Sequence, residues 1–138
     1  MIADLEDQLI DKLAWIEIKD GKVLVARSKG KDAFYIPGGK REKGESDAEA
    51  LIREIQEELS VTVQENSLDY YGTFSAQAHG KPEGVIVQMT CYQGAYVGRI
   101  APDSEIEEID WLNYHQNDLV APVDKIIFLD LYEKGLLQ

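Results

Sequence analysis

Cys91 is the only cysteine in this chain, so no internal disulfide can form and a reducing compartment is expected. It lies in an apolar run and reads as a small core residue. Positive charge is also scarce. Fourteen Lys and Arg stand against 26 Asp and Glu, a net charge of −12, which disfavours nucleic acid and anionic membranes as partners. A polyanionic small molecule would be repelled too, unless metal ions and a few local cations reverse the field at one site. No apolar run is long enough to span a bilayer, and no signal peptide is visible. No repeat or low-complexity linker divides the chain. The expectation is one cytoplasmic domain over residues 1–138, long enough to bury a core. His79 sits in a polar turn without a Cys or His partner and reads as an exposed loop residue.

Periodicity and turn chemistry order the rest. Ala3 to Ile10 reads as a short amphipathic helix or an edge segment. Lys12 to Lys19 alternates, with Ala14, Ile16 and Ile18 on one face, and reads as a strand. Asp20-Gly21 is a hairpin turn, and Lys22 to Arg27 is the return strand. A polar loop, Ser28 to Ala33, leads to a short apolar piece, Phe34 to Ile36. Strands are expected over Leu68 to Ala78, Val85 to Val97 and Ile109 to Leu112. Pro122 opens a helix that runs to about Lys134 and ends at Gly135, with Ile126, Ile127, Leu129 and Leu131 packed on the sheet. This pattern is α/β, a mixed sheet between helices.

The most informative stretch is Gly39 to Val61, GKREKGESDAEALIREIQEELSV. Pro37, Gly38 and Gly39 read as a tight, exposed loop. Ser46 is an N-cap, and Glu49, three residues on, completes a capping box. In the helix that follows, Ala48, Leu51, Ile52, Ile55 and Leu59 form a face to bury. Glu54, Glu57 and Glu58 gather elsewhere at i, i+3 and i+4, where their side chains are neighbours and repel one another. Ala50, one turn before Glu54, leaves space on that side. A divalent cation removes the conflict, and Mg²⁺ prefers oxygen ligands. A solvated acidic face is the plain alternative.

The full spacing resembles the Nudix box of MutT-like nucleoside diphosphate hydrolases. Gly39, Glu45 and Arg53-Glu54-Ile55-x-Glu57-Glu58-x-Ser60-Val61 match it, with Ser60 in place of glycine as the one departure. The resemblance implies a Nudix α/β/α sandwich with a loop–helix–loop motif. It also implies hydrolysis of a nucleoside diphosphate linked to another group, with Mg²⁺ as cofactor and Mn²⁺ as a substitute. Residue by residue, it makes Glu57 and Glu58 metal ligands, Glu54 a ligand or the base that takes the proton from water, and the Gly38 carbonyl a further ligand. Glu45 and Arg53 would brace the loop against the helix. An acid of the 103–108 loop would serve as an extra ligand or base, Glu105 first and Glu108 second. Arg27, at a strand end, and Lys40 are candidates for substrate phosphate. Tyr70, Tyr71 and Phe74 read as core or as a stack for a base.

Within the family, a nucleoside triphosphate cleaved to monophosphate and pyrophosphate is the expected substrate. The alternatives are a nucleotide sugar such as ADP-ribose, or a non-catalytic domain that senses a nucleotide. The expected partner is a small nucleotide, with no nucleic acid or membrane, and the protein a monomer or homodimer. At Ser60 the missing glycine predicts a residue held in the left-handed conformation.

Overall fold

The computed structural model describes residues 8–138. Most of the expected Ala3 to Ile10 element lies outside them, and Leu9 and Ile10 open the first strand. In order, the elements are β1 (Leu9–Trp15), β2 (Ile18–Lys19), β3 (Lys22–Ser28), β4 (Gly38–Lys40), α1 (Asp47–Leu59), β5 (Thr62–Val63), β6 (Asp69–Gln77), β7 (Ile86–Gln93), β8 (Tyr96–Val97), β9 (Ile106–Leu112) and α2 (Pro122–Glu133).

A four-stranded mixed sheet runs β4-β1-β7-β6, and a three-stranded sheet runs β2-β3-β9. In the four-stranded sheet β1 and β7 are parallel; β4 and β6 pair antiparallel at the flanks. Successive side chains on a strand point to opposite faces, and β1 buries both. Leu13 and Trp15 join the core under α1, with Leu51, Ile55 and Leu59. Ala14 and Ile16 join the core under α2, with Ile127, Phe128 and Leu131. Each large side chain so buried contributes about 1.5–3 kcal/mol. The result is helices on both sides of the sheets, as expected.

Several boundaries differ from those read in the sequence. Lys12 to Lys19 is two strands, not one. The Ile16 amide donates to the Tyr92 carbonyl, while the Leu24 amide donates to Glu17, so the chain changes sheets between them. Val85 to Val97 likewise breaks at Gly94-Ala95. The strand expected at Ile109 begins at Ile106, because Glu108 pairs with Arg27 across the ladder. On α2, Ile126 and Leu129 are each 43% exposed; the inward face is Val123, Asp124, Ile127, Phe128 and Leu131. Pro37 and Gly38 are buried, and Gly38 to Lys40 form β4 against β1 rather than an exposed loop. A Cβ on Gly38 would run into the Leu13 backbone, so this close approach requires glycine.

Helix α1 begins as its sequence directs. Ser46 Oγ accepts from the Glu49 amide at 3.1 Å, and Glu49 returns the bond to the Ser46 amide at 3.0 Å. Its end has Ser60 at φ 64°, ψ 21°, the left-handed conformation. A residue with a Cβ costs about 1–2 kcal/mol there relative to glycine. The hydroxyl recovers little, since its contact with Asp103 Oδ2 is exposed and 3.4 Å long. Ser60→Gly is therefore expected to raise the denaturant midpoint, less a few tenths of a kcal/mol for the freer unfolded chain. A lower midpoint in the glycine variant would show that Ser60 is unstrained.

Candidate active site

Beside the 34–40 segment and the Glu54–Glu58 side of α1 lies a cleft of about 910 Å³, whose lining includes Gly38, Gly39, Lys40, Glu54, Glu58 and Glu105. Glu58 is the deepest of these three carboxylates, 4% exposed. Its Oε1 accepts from the Gly38 amide at 3.1 Å and its Oε2 from the Tyr35 hydroxyl at 3.3 Å. Burial pushes its carboxyl up to about 8, and the neighbouring Glu54 and Glu105 push the same way. Glu54 is also raised, first by burial, against the pull of Arg53. The Tyr35 phenol is raised too, by burial and by Glu58. Gly39 faces the Glu54 carboxyl so closely that a Cβ there would collide with it.

Arg53 organises the loop before the helix. It holds Glu45 with two parallel bonds, Nε to Oε2 at 2.8 Å and Nη2 to Oε1 at 2.9 Å, the bidentate geometry that guanidinium favours. Its Nη2 reaches the Lys40 carbonyl at 3.1 Å, and Nη1 lies 2.9 Å from Glu54 and 3.5 Å from Glu57. This fork pulls Glu45 down to about 2. Glu57 is half exposed.

Glu105 is delivered by the loop that closes α1. The amides of Ala101 and Asp103 donate to the last helical carbonyls, Leu59 and Glu58, and the Lys29 amide donates to the Glu105 carbonyl. Glu108, by contrast, lies with Glu107 on Arg27 Nη2, at 3.1 and 2.8 Å. Arg27 also donates to the Lys31 carbonyl and does not line the cleft. The lysines that do are Lys12, Lys31, Lys40 and Lys81, alongside the acids Asp32, Glu54, Glu58, Glu105 and Asp124. Tyr70, Tyr71 and Phe74 do not line it either; Tyr71 and Phe74 pack on the core, and Phe34 stands in the cleft wall. His79 is on a loop at the rim, its Nε2 3.1 Å from Asp32 Oδ1.

Sequence reasoning missed Tyr35, Arg41 and Asp124. Arg41 pairs with Asp11 and Asp47, and Tyr92 donates to Asp47, a second brace on the same loop. These partners are far apart in sequence, and no spacing announces them. Asp124, in the first turn of α2, reads as an ordinary acid favoured by the helix dipole, with nothing to mark it as buried.

Among the described residues, no three His, Cys, Asp or Glu side chains already form a finished cation cage. The donor set nevertheless suits a hard cation. Beyond burial, Glu54 and Glu105 raise the proton affinity of Glu58, and Glu57 and Glu105 raise that of Glu54, and oxygen donors at such density are what Mg²⁺ accepts.

An acidic loop–helix–loop set on a mixed sheet between helices defines a Nudix-type hydrolase. The NUDIX domain family model matches residues 13–131, and the chain belongs to that family. Nudix hydrolases act on nucleoside diphosphate derivatives and generally use divalent metal ions. A Bacillus subtilis (strain 168) protein named as an uncharacterized Nudix hydrolase, YvcI, is 31% identical over 118 residues, 84% of this chain and 74% of that protein. The fold is similar to that of the E. coli ORF135 protein, with TM-score 0.72 and 24% identity over 96% of each chain. It is also similar to a MutT protein from Methanosarcina mazei Go1, with TM-score 0.75 and 19% identity over 96% of this chain and 99% of that one.

Proposed function

We propose that the protein hydrolyses a nucleoside triphosphate to its monophosphate and pyrophosphate in a reaction that depends on Mg²⁺ or Mn²⁺. The observation that carries this reading is the buried Glu58, held by the Gly38 amide and Tyr35 hydroxyl beside Glu54 and Glu105 in the cleft. Glu54, Glu57 and Glu58, with Glu105 and the Gly38 carbonyl, would hold the cation. Bound there, it would neutralise phosphate charge and lower the pKa of water. Glu54 or Glu105 takes the proton from the attacking water; burial already raises the proton affinity of Glu54. Glu45 and Arg53 keep the loop and helix in register, and Lys40 screens the phosphates.

The test is a panel of triphosphates incubated with Mg²⁺, with Mn²⁺ or with excess chelator, and the products separated by ion exchange. Monophosphate and pyrophosphate are expected with metal, and turnover at background with chelator. Unchanged turnover in chelator would remove the metal role. Release of diphosphate and inorganic phosphate would overturn the cleavage position.

A further inference from the structure

Glu58 comes from α1 and Glu105 from the loop before β9, so their carboxyls stand on separate pieces of chain. The end of β3 reaches both. Its ladder with β9 is irregular there: Arg27 pairs with Glu108 and Ser28 with Ile106, which leaves Glu107 as an extra residue. A bulge of this kind re-aims the side chains beside it. The Ser28 hydroxyl meets the Tyr35 hydroxyl at 2.9 Å, and the Tyr35 hydroxyl meets Glu58 Oε2 at 3.3 Å. The next residue, Lys29, donates its amide to the Glu105 carbonyl at 2.9 Å. Tyr35 is itself tied to the strand, its amide and its carbonyl each bonded to Ala26 at 2.8 Å. The strand therefore holds the tyrosine at its backbone and, through Ser28, at its hydroxyl. Ser28, Tyr35, Glu58 and Glu105 all line the cleft.

A carboxylate offers about four lone-pair sites. Glu58 uses one on the Gly38 amide and one on Tyr35. We propose that Tyr35, oriented by Ser28, is a positioning residue for the cation: its hydroxyl fixes the Glu58 carboxylate, turns the remaining lone pairs to a cation shared with Glu105, and so lets the end of β3 set the spacing of the two acids. This inference rests on the reading of the site as a divalent-metal centre. Tyr35 acts through Glu58. A carboxylate that holds a cation has no hydrogen of its own, so the phenol must donate to it, and the phenol oxygen is then free to accept from Ser28. A chain of hydroxyls aligned in this way strengthens each bond along it. Without the phenol oxygen, Glu58 Oε2 loses its partner, and a side chain with three rotatable bonds is left turning about the single contact at Oε1. Partners that orient a metal ligand from behind in this way govern affinity for the metal as well as turnover.

The experiment titrates Mn²⁺ into the metal-free full chain and reads the free ion by electron paramagnetic resonance, which needs no turnover. Tyr35→Phe removes one oxygen and keeps the ring. It is expected to weaken Mn²⁺ binding about 10-fold or more, within the range for outer partners of metal ligands. Ser28→Ala is expected to weaken it by a smaller factor, and to add nothing in the Tyr35→Phe background, because it acts through the phenol. The residual Mn²⁺ binding of Glu58→Gln should likewise be indifferent to Tyr35→Phe. A merely structural tyrosine would weaken binding alike with and without the Glu58 carboxylate. Unchanged affinity in Tyr35→Phe, or losses that add in either double variant, would overturn the inference and leave the metal reading standing. If Tyr35→Phe does not fold, Ser28→Ala decides alone, and a wild-type affinity in it overturns the inference. A wild type that binds no Mn²⁺ removes the metal reading together with it.

Discussion

Glu58→Gln is expected to lower kcat by about 10²–10³-fold, the usual cost of removing one group that stabilises charge in the transition state. The protein should stay folded. The amide oxygen can still accept from the Gly38 amide, and the Tyr35 hydroxyl, already bonded to Ser28 Oγ, can accept as readily as donate. In chelator the variant should be the more stable of the two near pH 8. The sign follows from linkage. The Glu58 carboxyl sits at about 8 in the folded protein, raised from an ordinary 4.5. Between those values the native state holds a proton that the unfolded chain has lost, so wild-type stability falls as pH rises through that window. A glutamine carries no such penalty. Thermal midpoints of both proteins between pH 5 and 8, with chelator and then with Mg²⁺, check this. A wild type that is no less stable at pH 8 than at pH 5 in chelator would remove the argument from buried charge. Full turnover in the variant would remove Glu58 from the metal site.

Arg53→Ala and Arg53→Lys are both expected to lower kcat/KM by about 10–100-fold, the range for a residue that orients metal ligands without being one. Lysine keeps the charge but not the fork, so it should rescue little. Glu45→Gln should produce much of the same loss, because the two bonds between these side chains form one brace. The double variant Arg53→Ala/Glu45→Gln should then be scarcely worse than Arg53→Ala alone. Losses that simply add would show that Arg53 acts through Glu54 and Glu57 instead. The depressed Glu45 carboxyl adds a pH signature. Its stabilising contribution is present above the ordinary carboxylate range and is lost as pH falls towards 2. Wild type and Glu45→Gln should therefore converge in stability in acid.

The parts of this site that were legible in sequence are those in which neighbours along the chain decide the outcome. Ser46 and Glu49 cap the same helix turn, and Glu54 and Glu58, one turn apart, both line the cleft while Glu57 stands half exposed beside them, so spacing alone places them. Asp20-Gly21 needs only local backbone freedom, and both residues adopt positive φ. Failures came where a partner from far along the chain overrides the local signal. Lys12 to Lys19 alternates well enough for one strand, but Tyr92 and Leu24 draw it into different sheets. Pro37-Gly38-Gly39 carries the composition of a surface turn, yet β1 covers it. Arg27 has the position of a phosphate ligand, while Glu107 and Glu108, 80 and 81 residues away, occupy its guanidinium. On α2, Ile127 and Leu131 pack inward as expected, but Ile126 and Leu129, core residues by type, are half exposed, and Asp124 takes a place on the inward face instead.

The two amides of Ile36 and Gly38 end on buried carboxylates rather than on a neighbouring strand. Their protons are therefore native reporters, one for each of two acids that line the cleft. Anything that draws Glu58 towards a ligand lengthens the bond from Gly38, and anything that engages Asp124 alters the bond from Ile36. The two resonances in an amide spectrum would respond separately, so occupancy beside the two acids could be followed on the unlabelled ligand, in one sample and without catalysis.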